Sequence, residues 1–219
     1  MQVRLNPSEV LTLTLPDGSQ VTCRRHAERV ATGSIRGEDA VKRACEACPN
    51  FANNFGCPPH SPFFDAWAAT APEALLICLQ ASPSVFPGAS SAERMLHGGR
   101  VLQGALYAEL LAWRGKGHLV AGAGPCRGCE RCALADGAAA CATPEAQVCS
   151  LESMGVNVVA LAKEVFGIEL EWGDENTKPA TVVAIGGVFS ASGSVKDPGL
   201  VQVSGLGRTG SGDWSIHRG

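Results

Sequence analysis

Seven of the ten cysteines in this 219-residue chain fall into two tight groups. Cys126, Cys129, Cys132 and Cys141 lie within "GPCRGCERCALADGAAACATP", and Cys45, Cys48 and Cys57 within "CEACPNFANNFGCPPH". Thiolates spaced as Cys126-x-x-Cys129-x-x-Cys132 let one loop wrap the corner of a cuboidal iron–sulfur cluster. Each sulfur then reaches a different iron, while main-chain N–H groups face the inorganic sulfides. Bacterial ferredoxins use such a run, with a further cysteine followed by proline. Gly124 and Gly128 suit the close backbone approach this needs. The run departs from the ferredoxin pattern in one respect, because eight residues separate Cys132 from Cys141. A lone zinc ion, which takes four ligands commonly as two separated pairs, explains the triplet less well.

The second group reads Cys45-x-x-Cys48-x₈-Cys57, followed by Pro58 and Pro59. Its proline echoes the ferredoxin ending. Three ways of sharing the sulfurs are open. In the first, Cys126, Cys129, Cys132 and Cys141 hold one cubane and Cys45, Cys48 and Cys57 a second. The fourth iron of that second cubane would take His60, Cys149, water or a substrate. In a crossed arrangement Cys57 completes the triplet, and Cys45, Cys48, Cys141 and Cys149 form the other site. The last is a single cubane beside a four-cysteine zinc site.

Bulk composition sets the compartment in which these thiols must be read. Charged residues make up 18% of the chain and the net charge is −3, which gives no case for a nucleic-acid surface or a basic membrane-binding face. Apolar runs such as "EALLICLQ" (73–80) are too short to span a bilayer, and "MQVRLNPSEV" lacks the apolar core of a secretory signal. The expectation is a soluble, cytoplasmic protein, whose reducing surroundings keep thiols free for metal.

The elements that must position the two loops are legible in outline. "VLTLTL" (10–15), "PDGS" and "QVTCRR" (20–25) predict a β-hairpin. "GEDAVKRACEAC" (37–48) predicts a short helix running into Cys45 and Cys48, with Glu38 and Asp39 at its start and Lys42 and Arg43 nearer its end. Residues 50–64 read as loop. "ALLICLQ" (74–80) reads as a buried strand, 90–113 as a long helix that Gly98 and Gly99 would split, and "HLVAGAG" (118–124) as a strand entering the triplet loop. Ser150 reads as the cap of a helix with Glu152 in its first turn, carrying Leu151, Met154, Val158, Leu161 and Val165 on one face. "TVVAIGGVF" (181–189) reads as a last strand. The expected fold class is α/β, a small mixed sheet flanked by helices with cysteine-rich metal-binding loops at strand ends. It forms a single domain over 1–190, with a Gly/Ser-rich, disordered tail over 191–219.

Several residues have plainer readings. Cys78 reads as a small hydrophobe in its strand and Cys23 as structural. Cys149 stands close to the ligand loop, and His60 reads as a solvated histidine. His26, His97 and His118 have no ligand spacing. Arg127 and Arg131 lie between the triplet cysteines, where they are either solvated or offset the charge of a cluster. Gly122, Gly124 and Gly128 are followed by no phosphate-loop pattern. Asp174 and Glu175 read as a solvated turn.

"CEACPNFANNFGCPPHSPFF", "AGAGPCRGCERCALADGAAACATPE" and "SLESMGVNVVALA" resemble a family of predicted metal-binding proteins (domain of unknown function 2284) over roughly residues 40–188. The shared features are a C-x-x-C…C-P-P loop, a G-P-C-x-x-C-x-x-C…C-x-x-P-E loop and an S-x-E-x-x-G-[IV]-[ND]-V start. The resemblance implies that Cys45, Cys48, Cys57, Cys126, Cys129, Cys132 and Cys141 form the metal-binding set, and that Cys23, Cys78 and Cys149 stand outside it. The expected cofactor is one or two [4Fe–4S] clusters, with zinc as the alternative. The expected role is electron transfer or reductive activation of a partner, through a redox partner protein. One alternative is an enzyme whose three-cysteine cluster offers an open iron to a small sulfur- or oxygen-containing substrate. The other is a structural zinc module that binds another protein. No nucleic-acid or membrane partner is expected.

Overall fold

The computed structural model describes residues 8–15, 17–170, 179–191 and 215–218. Strands β1 (Glu9–Thr14) and β2 (Gln20–Ala31) form the expected hairpin, its turn closed by Gly18 at φ +81° and by Asp17 accepting the Ser19 amide. β2 runs six residues past Arg25, where the sequence reading ended it, because Val21, Cys23, Arg25 and Ala27 keep alternating inward through the polar "RHAER" stretch. Strand β3 (Glu73–Ala81) pairs with β2 on one side and with β5 (Val182–Ser190) on the other, and β4 (Leu119–Ala121) closes that edge.

Ser215–Arg218 pair with β1 as β6, giving the order β4-β5-β3-β2-β1-β6. With residue 191, these four are the described part of the region read as a disordered tail; 192–214 and 219 lie outside the described residues. So do Asp174 and Glu175. The α/β class is as expected, but within it the sheet is antiparallel rather than mixed. Every strand pairing runs antiparallel, and the one parallel contact among the described residues is the isolated bridge Gly122–Ser150. The physical reason is that the long excursion after β4 re-enters the sheet at the end it left, so β5 runs back alongside β4 instead of crossing over to lie parallel to it.

Both faces of β3 are buried, which is why its sequence is an unbroken apolar run. Leu75, Ile77 and Leu79 face the long helix α3 (Ser91–Arg114), while Ala74, Leu76 and Cys78 face a second layer. That second layer is built from α2 (Phe64–Trp67) and the 151–166 segment, around buried residues such as Phe64, Met154, Phe166 and Phe189, while α1 (Asp39–Ala44) buries none of its residues. Helix α3 begins with a full capping box between Ser90 and Glu93. Gly98 does not split it: a Cβ there would sit 2.6 Å from the Phe86 ring, so the glycine lets an aromatic pack against the helix. Arg25 of β2 and Glu109 of α3, both buried, form a forked ion pair with an Nη2–Oε1 distance of 2.6 Å that fixes α3 on the sheet.

The helix expected from Ser150 is broken. Residues 152–154 make a single 3-10 turn, Gly155 turns at φ +95°, and helix α4 (Val158–Leu161) starts only after Asn157, whose side chain accepts the Ala160 amide. A π-turn over Ala162–Phe166 continues it. The apolar stripe from Leu151 to Val165 still packs into one cluster, so its spacing reported shared burial rather than one continuous helix. Among the described residues, no helix is long and apolar enough to cross a membrane.

Candidate metal centre

β4 delivers the chain into the triplet loop, and that loop is closed at its base. The Gly122 amide donates to Cys149 O at 2.9 Å, and the Leu151 amide donates back to Gly122 O at 3.0 Å. One stripe of α3 then holds the loop. Gln103 accepts from Arg127 Nη2 at 3.0 Å, the Tyr107 hydroxyl donates to Ala146 O, and the Arg114 guanidinium donates to Gln147 O and Pro144 O. These three anchors lie four and seven residues apart, on one helix face. Gly124, at φ +67°, has the Gln103 side chain 2.7 Å from the place a Cβ would take, so the turn and the tight fit both call for glycine.

Within the loop, main-chain amides are aimed at sulfur. Cys126 Sγ receives the amides of Val148 at 3.4 Å and Gly128 at 3.5 Å. Burial raises the Cys126 thiol above its ordinary range, the two amides oppose that rise, and charge on Cys141 and Cys132 adds to it. The Cys129 thiol is likewise raised, first by burial and then by Cys132, Cys126 and Cys141.

The other loop starts where α1 ends. Cys45 caps the helix and opens a 3-10 turn, and the Cys48 amide donates to Cys45 O at 2.9 Å. Lys42 Nζ clamps the far end by donating to Ser61 O at 2.7 Å and Pro62 O at 3.2 Å, and the Ser61 hydroxyl donates to Ser153 O at 2.7 Å. Cys57 is buried and Cys48 exposed. Burial pushes the Cys57 thiol up to about 12, helped by charge on Cys48 and Cys45 and then on Cys149 and Cys126. The Cys45 thiol is raised by burial, by Cys48 and by the Glu152 carboxylate, against Lys42.

The two loops meet along a seam. The Phe55 amide donates to Cys132 Sγ at 3.4 Å, Asn54 Nδ2 donates to Cys126 O at 3.3 Å, and Gln147 Nε2 donates to Phe55 O at 2.8 Å. Gly56 lies so close that a Cβ would fall 2.6 Å from Cys126 Cβ, and one on Gly128 would fall 2.7 Å from Ala146 O. All ten cysteines are free. The mutual influence of the thiols groups Cys126, Cys129, Cys132 and Cys141 together, and Cys57 chiefly with Cys45 and Cys48. Cys149 lies between the groups: burial raises it to about 11, and its strongest thiol neighbour is Cys126. His60 is exposed, its ring edge-on to Phe55 at 5.1 Å. Cys23 and Cys78 are in the sheet, each buried and pushed up to about 12, with burial the main cause.

Among the described residues, no three His, Cys, Asp or Glu side chains converge tightly enough to hold a single metal ion. The chemistry of the donors nonetheless suits a soft metal, since thiolates select iron–sulfur clusters or zinc. Amides directed at sulfur and two glycines without room for a Cβ make a cradle of the kind that chemistry needs.

Beside Cys45, Cys48 and Cys57 lies a cavity of about 160 Å³, also bounded by Pro58, Gly124, Ser150 and Glu152. Glu152 Oε2 is shut off from solvent there with no hydrogen-bond partner. Its carboxyl is raised above the ordinary range by burial, against hydrogen bonds from its own amide and the Ser150 side chain. The sequence reading gave Glu152 only a helix-start role. The available signal was its place in "SLESMG", a capped turn that the following Gly155 ends at φ +95°. The anchors Gln103, Tyr107 and Arg114 were missed as well, because a polar stripe on a long helix reads as solvated.

The model of a family described as predicted metal-binding proteins (domain of unknown function 2284) matches residues 28–188. No curated protein and no solved structure matches the chain.

Proposed function

The chain belongs to the predicted metal-binding protein family of domain of unknown function 2284, and from that membership we propose that it is a cytoplasmic iron–sulfur protein acting in electron transfer or reductive activation of a partner protein. In this reading Cys126, Cys129, Cys132 and Cys141 hold one [4Fe–4S] cluster, and Cys45, Cys48 and Cys57 hold a second. The observation that carries it is the seam. A main-chain amide of one loop is directed at a cysteine sulfur of the other, Phe55 N to Cys132 Sγ at 3.4 Å, and two more amides are directed at Cys126. Amide donors to sulfur favour the thiolate and tune a cluster's potential.

A cluster bound there supplies a reversible one-electron acceptor. The chain's own contribution is to fix and shield. Tyr107 and Arg114 hold the loop carbonyls, Gly56 and Gly128 admit close backbone contact, and Cys57 is the buried sulfur of its loop. A second reading, an enzyme with an open iron site for a small sulfur- or oxygen-containing substrate, is favoured by the cavity beside Cys45, Cys48 and Cys57.

Anaerobic purification followed by iron, sulfide and zinc analysis and Mössbauer spectroscopy tests the proposal. Several irons with matching sulfide per chain, reducible and reoxidisable, are expected. Zinc alone would overturn it in favour of a structural zinc module. A spectrum that shifts when a small thiol is added would move the role from electron transfer to the open-site enzyme.

A further inference from the structure

We infer that the Glu152 carboxylate is the fourth, oxygen ligand of the metal centre held by Cys45, Cys48 and Cys57, an inference that rests on the iron–sulfur reading above. Three thiolates leave a cubane one ligand short. His60 is exposed, and the thiol that most affects Cys149 is that of Cys126, in the other group. Glu152 lines the same 160 Å³ cavity as Cys45, Cys48 and Cys57. Its backbone carbonyl lies 3.9 Å from Cys45 Sγ, and Oε2 is enclosed with nothing to bond to.

A buried polar atom without a partner costs folding free energy and calls for an explanation. The neighbouring cation does not supply one, because Lys42 Nζ is committed to the carbonyls of Ser61 and Pro62. The broken turn at 152–154 is the device that places the group. Ser153 donates both its amide, to Ser150 Oγ, and its hydroxyl, to Ser150 O, and Gly155 at φ +95° ends the turn. A carboxylate is a harder donor than thiolate, so the position it occupies exchanges more readily than the other three. Glu152 lies on the same cavity that the three thiolates line.

The test compares wild type, Glu152→Gln, Glu152→Ala and Cys45→Ser, each reconstituted anaerobically with ⁵⁷Fe and sulfide. Mössbauer spectra and the rate of iron release to a chelator are recorded. Wild type is expected to show one iron subsite distinct from the rest. In Glu152→Gln that subsite should change and its iron leave about 10–100-fold faster, the usual scale for a disturbed metal environment. Added acetate should restore the subsite in Glu152→Ala. Metal-free Glu152→Gln should melt at or above metal-free wild type, since it removes a carboxylate charge that has one enclosed, unpartnered oxygen; a merely structural glutamate would give the reverse. If Cys45→Ser loses iron while both Glu152 variants match wild type in spectrum and release rate, the ligand assignment falls and the centre stands. If Cys45→Ser keeps its full iron content, the centre itself is wrong and the ligand goes with it.

Discussion

The two cysteine loops are held in opposite ways. The 122–149 loop is tied from outside by α3, through Gln103, Tyr107 and Arg114, and two amides of its own reach Cys126. The 45–57 loop receives little from the long helix. It is braced by Lys42 and by Ser61 reaching Ser153, its sulfurs run from exposed Cys48 to buried Cys57, and a cavity with one unpartnered carboxylate oxygen opens beside them. One loop is built to enclose, the other to hold while leaving room. Both still depend on the seam, so the comparison can be broken at either loop or between them.

The largest effect is expected at a thiol of the enclosed loop. Cys126→Ser removes the sulfur that two amides address, on a residue whose Cβ sits against Gly56. On the iron–sulfur reading, that variant should lose one centre's iron and sulfide, keep part of the other's, and melt well below wild type, because a bound metal adds its binding free energy to folding. Cys48→Ser, at an exposed sulfur, should lose iron with a smaller drop in melting temperature. Equal drops in the two variants would erase the distinction between the loops. Iron analysis with differential scanning calorimetry reads both.

Next comes the seam. Gly56→Ala puts a methyl group 2.6 Å from Cys126 Cβ and 3.0 Å from Val148 O, both on the facing loop. No left-handed conformation is involved, so the cost is overpacking, about 1–3 kcal/mol. Denaturant unfolding should show it, with iron content reduced at both centres together. A loss confined to one centre would mean the loops fold independently.

A smaller effect separates the braces. Tyr107→Phe leaves Ala146 O without its hydroxyl donor, and Lys42→Met frees the Ser61 and Pro62 carbonyls. Each should cost about 1 kcal/mol. The difference lies in where amide hydrogen exchange quickens: over 122–149 for Tyr107→Phe, over 57–62 for Lys42→Met. Exchange that quickened in both loops for either variant would show that the braces are shared.

How much of this was readable beforehand follows from range. The loops announced themselves because their ligand spacing is local, and the hairpin, β3 and α3 did so because alternation and helical spacing are local too. β2's full length was hidden by Arg25, His26 and Glu28, polar residues on a strand whose inward Arg25 is paired with Glu109 on α3. The break at Gly155 was hidden because Leu151, Met154, Val158 and Leu161 keep helical spacing across it. The antiparallel sheet depends on where the chain returns after β4, and Glu152's surroundings depend on Cys45, more than a hundred residues earlier. Pairings at that separation leave no periodic trace.

The arginines between the triplet cysteines give the finest test. Arg131 pairs with Asp136 at 2.8 Å with both side chains well exposed, at 68% and 61%. An exposed pair of this kind is worth little, so Arg131→Gln should change stability by less than about 0.5 kcal/mol. Arg127 is half-buried, with Nε enclosed and unpartnered and its guanidinium pKa lowered by burial and then by Arg100. A positive charge near a cluster favours the reduced, more negative state. Both variants should therefore lower the reduction potential of the enclosed centre, Arg127→Gln by more because solvent screens Arg131. Raising the salt concentration should shrink the Arg131→Gln shift first. A potential equally insensitive to both arginines in a titration of the loaded protein would place the electron outside the 122–149 loop.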